Sequence, residues 1–328
     1  MKIHRICALL LSLLVVPTAQ PAEGDLKRAA DRYLRGDFRA AAELLEGIAR
    51  AEPGNAEVHL QLGKSYLRLR RYNDAVRELE RAVALDPGSS LYHLWLGRAY
   101  GEKAAHASKL SAFGIARKVS QEFETAVRLD PDNIDARFDS LDFYLEAPGL
   151  VGGGRDKAEA EAREIAARNA ARGHAARARI YCKDKKWDLA LAEYERAIAS
   201  APQASEPYLV LAEYLLERGD FPRAERVAGQ ALGLNPASLE AKLLLAAARV
   251  SQGKDLDAAA HALSEMAAGP LGDADPSFAE VYYWLGRAYA ARGETAAARE
   301  ALKTALQFDP DYAKPKEALS RLEGASLR

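Results

Sequence analysis

The chain has 328 residues and a mass of 35.7 kDa, which allows two or three ordinary domains or one elongated repeat array. Lys and Arg total 46 against 47 Asp and Glu, so the formal net charge is -1 and the basic excess typical of nucleic-acid-binding proteins is absent. Hydrophobic residues make up 49%, and about a fifth of the chain is alanine, the best helix former. The composition therefore predicts a folded, all-α chain and excludes a dedicated nucleic-acid partner.

The first residues have the pattern of a secretory signal peptide. Charged residues at positions 2, 4 and 5 precede an apolar run over 6–16, and small residues follow. In a helix this run spans about 16 Å, well short of the roughly 30 Å hydrocarbon core of a membrane. We therefore expect residues 1–19 to be a cleaved signal peptide, with cleavage after Ala19 or, as second choice, Ala22. The mature chain should be periplasmic or secreted without a membrane span, and an uncleaved N-terminal anchor is the alternative.

A period of 34 residues runs through the remaining sequence. Pro53 and Pro87 are 34 residues apart, and Pro202, Pro236 and Pro270 repeat that spacing. At another phase, Leu-Gly pairs are followed three residues later by tyrosine. These are Leu62-Gly63 with Tyr66, Leu96-Gly97 with Tyr100, and Leu285-Gly286 with Tyr289. A period of this length predicts units of two helices, which must stack because one unit cannot bury its apolar stripe alone.

These motifs resemble the tetratricopeptide repeat, of an exported bacterial type with insertions in repeats three and four. The resemblance implies an all-α, right-handed superhelical solenoid of about eight helix-turn-helix repeats with a C-terminal capping helix. We expect the solenoid over 22–311, with repeats starting near residues 22, 56, 90, 134, 171, 205, 239 and 279. The capping helix should occupy 312–323 and a tail 324–328, while insertions interrupt the period at about 101–115 and 147–157.

Small residues recur in phase where the two helices of each unit should cross, which lets their axes approach within about 8 Å. In the second helices they are Ala41, Ala75, Ala158, Ala190, Ala224, Ala258 and Ala298. In the first helices they are Gly63, Gly97, Ala178, Ala212, Ala246 and Gly286. Larger residues, among them Leu79 and Phe123, should fill the space toward the neighbouring unit. We therefore expect an open, curved solenoid with no enclosed chamber.

The resemblance places a partner on the concave surface, which the first helices line. There an apolar series is flanked by charges of both signs, which suits a bound peptide or helix with apolar anchors. The alternative is that several of the apolar residues are core between helices. The predicted groove residues are Leu60, Lys64, Leu94, Arg98, Phe138, Arg179, Leu209, Tyr283 and Arg287.

A second candidate surface comes from the two insertions, which occupy the same turn of adjacent repeats and should project from one edge of the solenoid. Insertions on one face of a repeat array often mark its binding face. The alternative is that these loops only tolerate extra length. The predicted rim residues are Lys109, Phe113, Leu150, Val151 and Arg155.

Few residues suggest catalysis or metal binding. The glycines at 152–154 could cradle an anion, but the phosphate-loop pattern is absent. Cys182 has no adjacent base to activate it. His59, His93 and His174 share one repeat position but should lie about 10 Å apart, too far to share a zinc ion, and we interpret them as substitutes for a half-buried aromatic residue. We expect no catalytic residue, no metal and no cofactor.

The leading hypothesis is a non-catalytic protein–protein interaction scaffold that binds a peptide or helical segment of a partner in an envelope assembly. The alternative is a helical accessory module that recognises an envelope polymer such as peptidoglycan or an exported polysaccharide. A third hypothesis is an enzyme that uses Cys182 or the Gly152–Gly154 loop. The sequence identifies neither the partner nor the oligomeric state.

Overall fold

The computed structural model describes residues 23–273 and 276–326, so the predicted signal peptide lies outside the described residues. The described residues form 17 α-helices and one short 3₁₀ turn, η1, and contain no strand. Among them, no helix combines the length and the apolar character that crossing a bilayer requires. The helices are α1 Glu23–Leu34, α2 Phe38–Ala51, α3 Ala56–Arg68, α4 Tyr72–Leu85, α5 Ser90–Ala105, α6 Lys109–Leu129, α7 Ile134–Glu146, α8 Arg155–Arg168, α9 Ala170–Lys183, α10 Trp187–Ser200, α11 Glu206–Glu217, α12 Phe221–Leu234, α13 Leu239–Gln252, α14 Leu256–Ala268, α15 Phe278–Ala291, α16 Thr295–Phe308 and α17 Ala313–Ser326, and η1 is Gly149–Val151.

Helices α1 to α16 pack as eight consecutive antiparallel pairs, which we call repeats one to eight, and α17 packs on the last pair. The first helices of the pairs begin at residues 23, 56, 90, 134, 170, 206, 239 and 278. Each element contacts mainly its neighbours in the chain, as in a stacked array. The expected all-α superhelical repeat fold, ending in a capping helix, is confirmed.

Local sequence sets the ends of the helices. Asn55, Ser89 and Asn133 each accept a hydrogen bond from a backbone N–H in the first turn of the helix that follows, which satisfies a donor without an intrahelical partner. At the turn between the paired helices, repeats one, two, five, six and eight each place one residue in the left-handed region, and repeat seven places two, a glycine and Asp255. Four of these residues are glycine, whereas Arg70 and Lys185 adopt φ near 59° at a steric cost.

Small and large residues meet at the helix crossings. A Cβ atom added to Gly63 would lie 2.6 Å from Cγ of Leu79, and Gly97 and Phe123 are related in the same way. Each large side chain therefore fills the space above a glycine of its own repeat, whereas we expected it to face the neighbouring repeat. The alanine phase is correct for six of the seven second helices. It is wrong for Ala258, which is exposed, because α14 begins one residue later and buries Ala259 instead.

Buried hydrogen bonds explain the periodic histidines. His59 is only 1% exposed, and its Nδ1 lies 2.8 Å from a carboxylate oxygen of Glu78 while its Nε2 lies 3.1 Å from the carbonyl oxygen of Pro53. His93 makes the same pair of contacts in repeat three, and His174 contacts Glu193 in repeat five. Each histidine therefore ties a first helix to its own second helix. The role is polar, not that of a substituted aromatic ring.

The insertion of repeat three is helical. Helix α5 extends to Ala105 and α6 begins at Lys109, so most of the extra residues lengthen the two helices and do not form a loop. In repeat four the extra residues form η1 and the glycines that follow it, and η1 packs against α6. The two insertions therefore differ in form although they occupy the same turn.

The two ends of the array meet. The backbone N–H of Leu271 donates a hydrogen bond of 2.6 Å to the carbonyl oxygen of Leu34. The Phe38 ring packs edge-on against the rings of Phe278 and Phe308, at centroid distances of 6.5 and 6.2 Å. Repeats one and two thus contact repeat eight and the segment before it. We call this contact the closure, and the superhelix that closes on itself through it the ring; the open solenoid that we expected had no contact between its ends.

Candidate binding groove

The first helices of the repeats line two adjoining cavities inside the ring. The first cavity, of about 490 Å³, lies beside the closure, and the second, of about 650 Å³, lies against the first helices of repeats three to six. Trp95, Arg98 and Asp273 line both cavities. We call the combined surface of the two cavities the groove. Its size suits a short extended segment of chain more than a whole domain.

Five of the nine predicted groove residues line these cavities. Lys64 and Arg98 line the first, and Leu94, Arg98, Phe138 and Arg179 line the second. The first helices of repeats two, three, four and five bring them together. The repeat positions therefore correctly locate five residues that line the cavities, and their role in binding stays a prediction.

The other four predicted residues line neither cavity. Leu60 and Leu209 are buried in the packing between helices, which is the alternative the sequence left open. The Tyr283 ring packs against Tyr312 at the start of the capping segment, with 5.5 Å between the ring centroids. Arg287 donates a hydrogen bond of 2.9 Å to the Tyr283 hydroxyl. The capping helix covers this end of the array, so its side chains contact the cap.

Guanidinium groups stack on aromatic rings along the groove. The Arg98 guanidinium lies 4.9 Å from the centroid of the Trp95 ring, and those of Arg172 and Arg179 lie 5.0 and 4.9 Å from the centroid of the Phe138 ring. Such stacking holds the positive groups flat against an apolar surface. The groove therefore presents apolar area and fixed positive charge side by side.

The arginines also join neighbouring repeats. Arg98 donates to Asp139 at 2.6 Å, and Arg172 contacts carboxylate oxygens of Asp135 and Glu206, both at 3.0 Å. Arg179 pairs with Asp142, whose pKa is raised by burial although the arginine opposes the shift. Both signs of charge predicted along the groove are thus paired between neighbouring repeats.

Lys64 is the most enclosed cation of the groove. It is 7% exposed, and its Nζ lies 5.6 Å from the centroid of the Tyr33 ring and 5.0 Å from that of the Trp95 ring. Its carboxylate partner is Asp273, from the segment between repeats seven and eight. The Arg68 Nη2 donates a hydrogen bond of 3.2 Å to the backbone oxygen of the same aspartate. The chain itself therefore occupies this part of the groove.

Sequence reasoning missed three groove residues, for different reasons. Trp95 and Arg172 lie outside the repeat positions that we assigned to the groove, although an aromatic residue next to Leu94 could have suggested the first. Asp273 is 209 residues away from Lys64 in sequence. No local pattern indicates that pair, because it forms only when the array turns far enough to meet itself.

The predicted rim does not form one exposed patch. Leu150 and Phe113 are exposed, whereas Val151 is buried against the body of the molecule. Arg155 pairs with Glu159 and with Asp184 of repeat five. Lys109 begins α6 on the surface. The exposed rim residues therefore lie on two elements of different form.

The glycines of repeat four use their N–H groups within the chain. The N–H groups of Gly152, Gly153 and Gly154 donate to carbonyl oxygens of residues 149, 148 and 144 at 2.9 to 3.2 Å. An anion would have to replace these bonds, so the geometry does not favour the phosphate-loop interpretation.

Burial raises the pKa of the Cys182 thiol, although a hydrogen bond with Tyr194 opposes the shift. A raised pKa disfavours the reactive thiolate. Over 23–273 and 276–326, no group of three or more His, Cys, Asp or Glu is placed to hold a metal ion.

Comparison with known sequences supports the repeat assignment. Sequence profiles of the tetratricopeptide repeat match residues 32–98, 209–273 and 279–312. No curated protein matches the chain significantly. The three matched segments lie at the beginning, the middle and the end of the array.

The chain is similar to several solved structures. Yeast Tom70 is 14% identical with a TM-score of 0.59, over 89% of this chain and 59% of that one. A tetratricopeptide repeat protein of Thermus thermophilus is 25% identical with a TM-score of 0.47, over 59% of this chain and 98% of that one. One from Parabacteroides merdae is 16% identical with a TM-score of 0.43, over 93% of this chain and 99% of that one. The likeness to Tom70 extends over most of the array and supports the fold alone.

Proposed function

We propose, from the premise that the chain belongs to the tetratricopeptide repeat proteins, that it is a non-catalytic scaffold that binds an extended segment of a protein partner in its groove. The observation that carries the proposal is the row of arginines stacked on Trp95 and Phe138 in the larger cavity. Arginine and aromatic side chains are enriched at the energetic centres of protein interfaces. We infer that the partner segment carries apolar side chains flanked by charged side chains.

The compartment is part of the proposal. The pattern of residues 1–19 is that of a secretory signal peptide, so we place the scaffold in the bacterial periplasm or outside the cell, within an envelope assembly. The alternative partner, an envelope polysaccharide, has less support. Glycan sites need open aromatic faces, whereas Phe138 is covered by two guanidinium groups and Tyr283 is buried against the cap.

Photo-crosslinking in the native envelope tests the proposal. Leu91, 45% exposed, lines the larger cavity, and Leu85, 44% exposed, lies on a second helix outside the groove. We expect a photo-crosslinking residue in place of Leu91 to give a discrete protein adduct, and the same residue in place of Leu85 to give none. Mass spectrometry of the adduct identifies the partner. Equal adducts from both positions would contradict the groove as the binding surface.

A pair of arginines provides the matched variants. Arg177 and Arg179 both lie on α9 with side chains 46% exposed, but only Arg179 lines the larger cavity. Arg179→Met should strongly reduce the adduct at position 91, because the methionine keeps the apolar contact with Phe138 and removes the charge. Arg177→Met should leave the adduct unchanged. If both variants lose the adduct equally, the effect comes from stability and not from recognition.

A further inference from the structure

The segment Gly269–Asp273 lies in the groove in the manner of a bound peptide. It leaves α14 at Gly269 with extended backbone, and residues 270–273 form no helix or strand. Leu271 is only 2% exposed, and its N–H donates to the carbonyl oxygen of Leu34. The backbone of this segment is therefore held by repeat one, and its leucine side chain by the apolar cluster of repeats seven and eight. A partner segment in an extended conformation would use the same two kinds of contact.

The side chains that hold this segment define a chemistry. Leu271 enters the apolar cluster that contains Phe278, while the Asp273 carboxylate pairs with Lys64. Leu271 and Asp273 are separated by a single residue and both line the cavity beside the closure, so one apolar and one acidic side chain are presented there together. A buried lysine between two aromatic rings needs an anionic partner, because an unpaired charge is costly there. The site therefore selects the pattern apolar, any residue, acidic.

We propose that residues 271–273 are a resident occupant of a peptide site, and that a partner segment with the pattern apolar, any residue, acidic displaces them from Lys64 and Arg68. The inference rests on the proposed function, because it specifies which part of the groove reads the partner and what it reads. A tethered occupant competes at a high effective concentration. If the resident segment leaves the site for only a tenth of the time, a partner binds about tenfold more weakly than it would to a site that is always free.

A peptide competition tests the proposal. The probe is a fluorescent, amidated hexapeptide with the sequence of residues 268–273, Ala-Gly-Pro-Leu-Gly-Asp, titrated into the full mature chain. We expect the double variant Leu271→Ser with Asp273→Asn to bind it about tenfold more tightly than the wild type. The control variant, Leu189→Ser with Asp188→Asn, alters an exposed leucine and an exposed aspartate on α10, outside both cavities, and should bind as the wild type does. Adding Lys64→Met to the first double variant should abolish the gain.

Two outcomes contradict the proposal: equal affinity of the wild type and the vacated variant, or no binding by either at millimolar peptide. If the double variant Leu271→Ser with Asp273→Asn loses helicity, the wild-type chain alone is used to test displacement. The hexapeptide should then accelerate hydrogen exchange at the Leu271 amide, which loses its bond to Leu34, and unchanged exchange counts against displacement. The crosslink at position 91 decides the proposed function separately. If that crosslink forms and the hexapeptide fails, the groove binds a partner without a resident occupant.

Discussion

The contacts between the two helices of one repeat, which we call the seams, differ from the closure of the ring in how the sequence specifies them. At a seam, a glycine and a large side chain from the same repeat interlock, as Gly97 and Phe123 do, and the contact recurs along the array. At the closure, Phe38 meets Phe278 and Phe308, more than 200 residues away in the sequence, and the contact occurs once. The seams are thus set by the repeated sequence. The closure depends on the accumulated turn of all eight repeats.

Electrostatics differ in the same way. The His59–Glu78 hydrogen bond of a seam is almost fully buried, so dissolved salt has little access to it. The closure pairs Arg70 with Asp309 and Asp311, and all three side chains are partly exposed. Exposed ion pairs contribute little and are screened by salt. The comparison indicates a rigid set of seams joined into a ring by a weaker contact, which suits a groove whose resident segment can be displaced.

The largest expected effect comes from overpacking the contact between repeats four and five, which, like a seam, joins helices that are close in the sequence. A Cβ atom on Gly173 would overlap the Cα and Cβ atoms of Ala166 and lie 2.9 Å from its backbone nitrogen. Only Asn169 separates α8 from α9, so the helices cannot move apart easily. Gly173→Ala should lower the free energy of unfolding by about 1 to 3 kcal/mol in urea denaturation. The control is Gly229→Ala within α12, where an added Cβ contacts nothing within 4 Å, and it should stabilise by up to about 1 kcal/mol. Equal effects would place no close contact at Gly173.

A smaller effect should separate the closure from an ordinary turn. Gly36 and Gly219 occupy the same turn in repeats one and six, with φ of 78° and 79°. An added Cβ would lie 3.0 Å from the rings of Phe278 and Phe308 at Gly36, and would contact nothing at Gly219. Both alanine variants carry about 1 to 2 kcal/mol of backbone strain. We expect Gly36→Ala to lower the free energy of unfolding by more than Gly219→Ala does, because only its Cβ atom also presses on the two phenylalanine rings. Gly36→Ala alone should also accelerate hydrogen exchange at the Leu271 amide. Identical losses, with unchanged exchange, would separate Gly36 from the closure.

The sequence predicted the seams well and the closure not at all, and the reason is physical. A seam depends on side-chain volume at a fixed phase, so Gly63 and Ala75 could be assigned from the 34-residue period. Where the turn length changed, as at Asp255 with φ of 44°, the phase slipped by one residue and Ala258 was assigned wrongly. Small differences in twist between repeats add up over the array. No local sequence pattern predicts this accumulated twist, so the contact between the first and last repeats could not be predicted.

The candidate groove shows the same limit. Lys64, Arg98 and Phe138 followed from repeat positions, because those positions face inward wherever the array continues on both sides. Tyr283 holds the equivalent position in the last repeat, but the capping helix covers it. The partner of Lys64 comes from a segment that sequence reasoning noted only as an irregularity between repeats seven and eight. Its role depends on the closure.

Two strained turns should measure the contribution of the closure ion pairs. Arg70 and Lys185 both adopt φ near 59° where four other repeats have glycine. Lys185→Gly should stabilise the chain by about 1 kcal/mol, because glycine adopts this conformation without strain. Arg70→Gly relieves the same strain but removes the ion pairs with Asp309 and Asp311. Its stabilisation should therefore be smaller than that of Lys185→Gly, and the difference should be up to about 1 kcal/mol. Urea denaturation of both variants gives the difference. A gain as large for Arg70→Gly as for Lys185→Gly would show that the ion pairs contribute nothing.

The smallest effect concerns the pH and salt dependence of the closure. Hydrogen bonds from Arg70 and His106 hold the pKa of Asp311 below its ordinary value of 3.8. A carboxyl group with a lowered pKa stabilises the folded state above its unfolded pKa, and this contribution is lost as the pH falls through the folded value. Asp311→Asn should therefore accelerate exchange at the Leu271 amide at pH 7, and should have no effect well below pH 3.8.

High salt discriminates further between the closure and a seam. In molar salt the effect of Asp311→Asn should vanish, because the group is exposed. The pKa of Glu193, in the seam of repeat five, is also lowered. Burial alone would raise it, and hydrogen bonds from His174 and Arg196 outweigh that effect. Since Glu193 is buried, the stability change caused by Glu193→Gln should persist in the same salt. An Asp311→Asn effect that survives molar salt would mean that the closure is held as firmly as the seams, and that the resident segment does not leave the groove by opening of the ring.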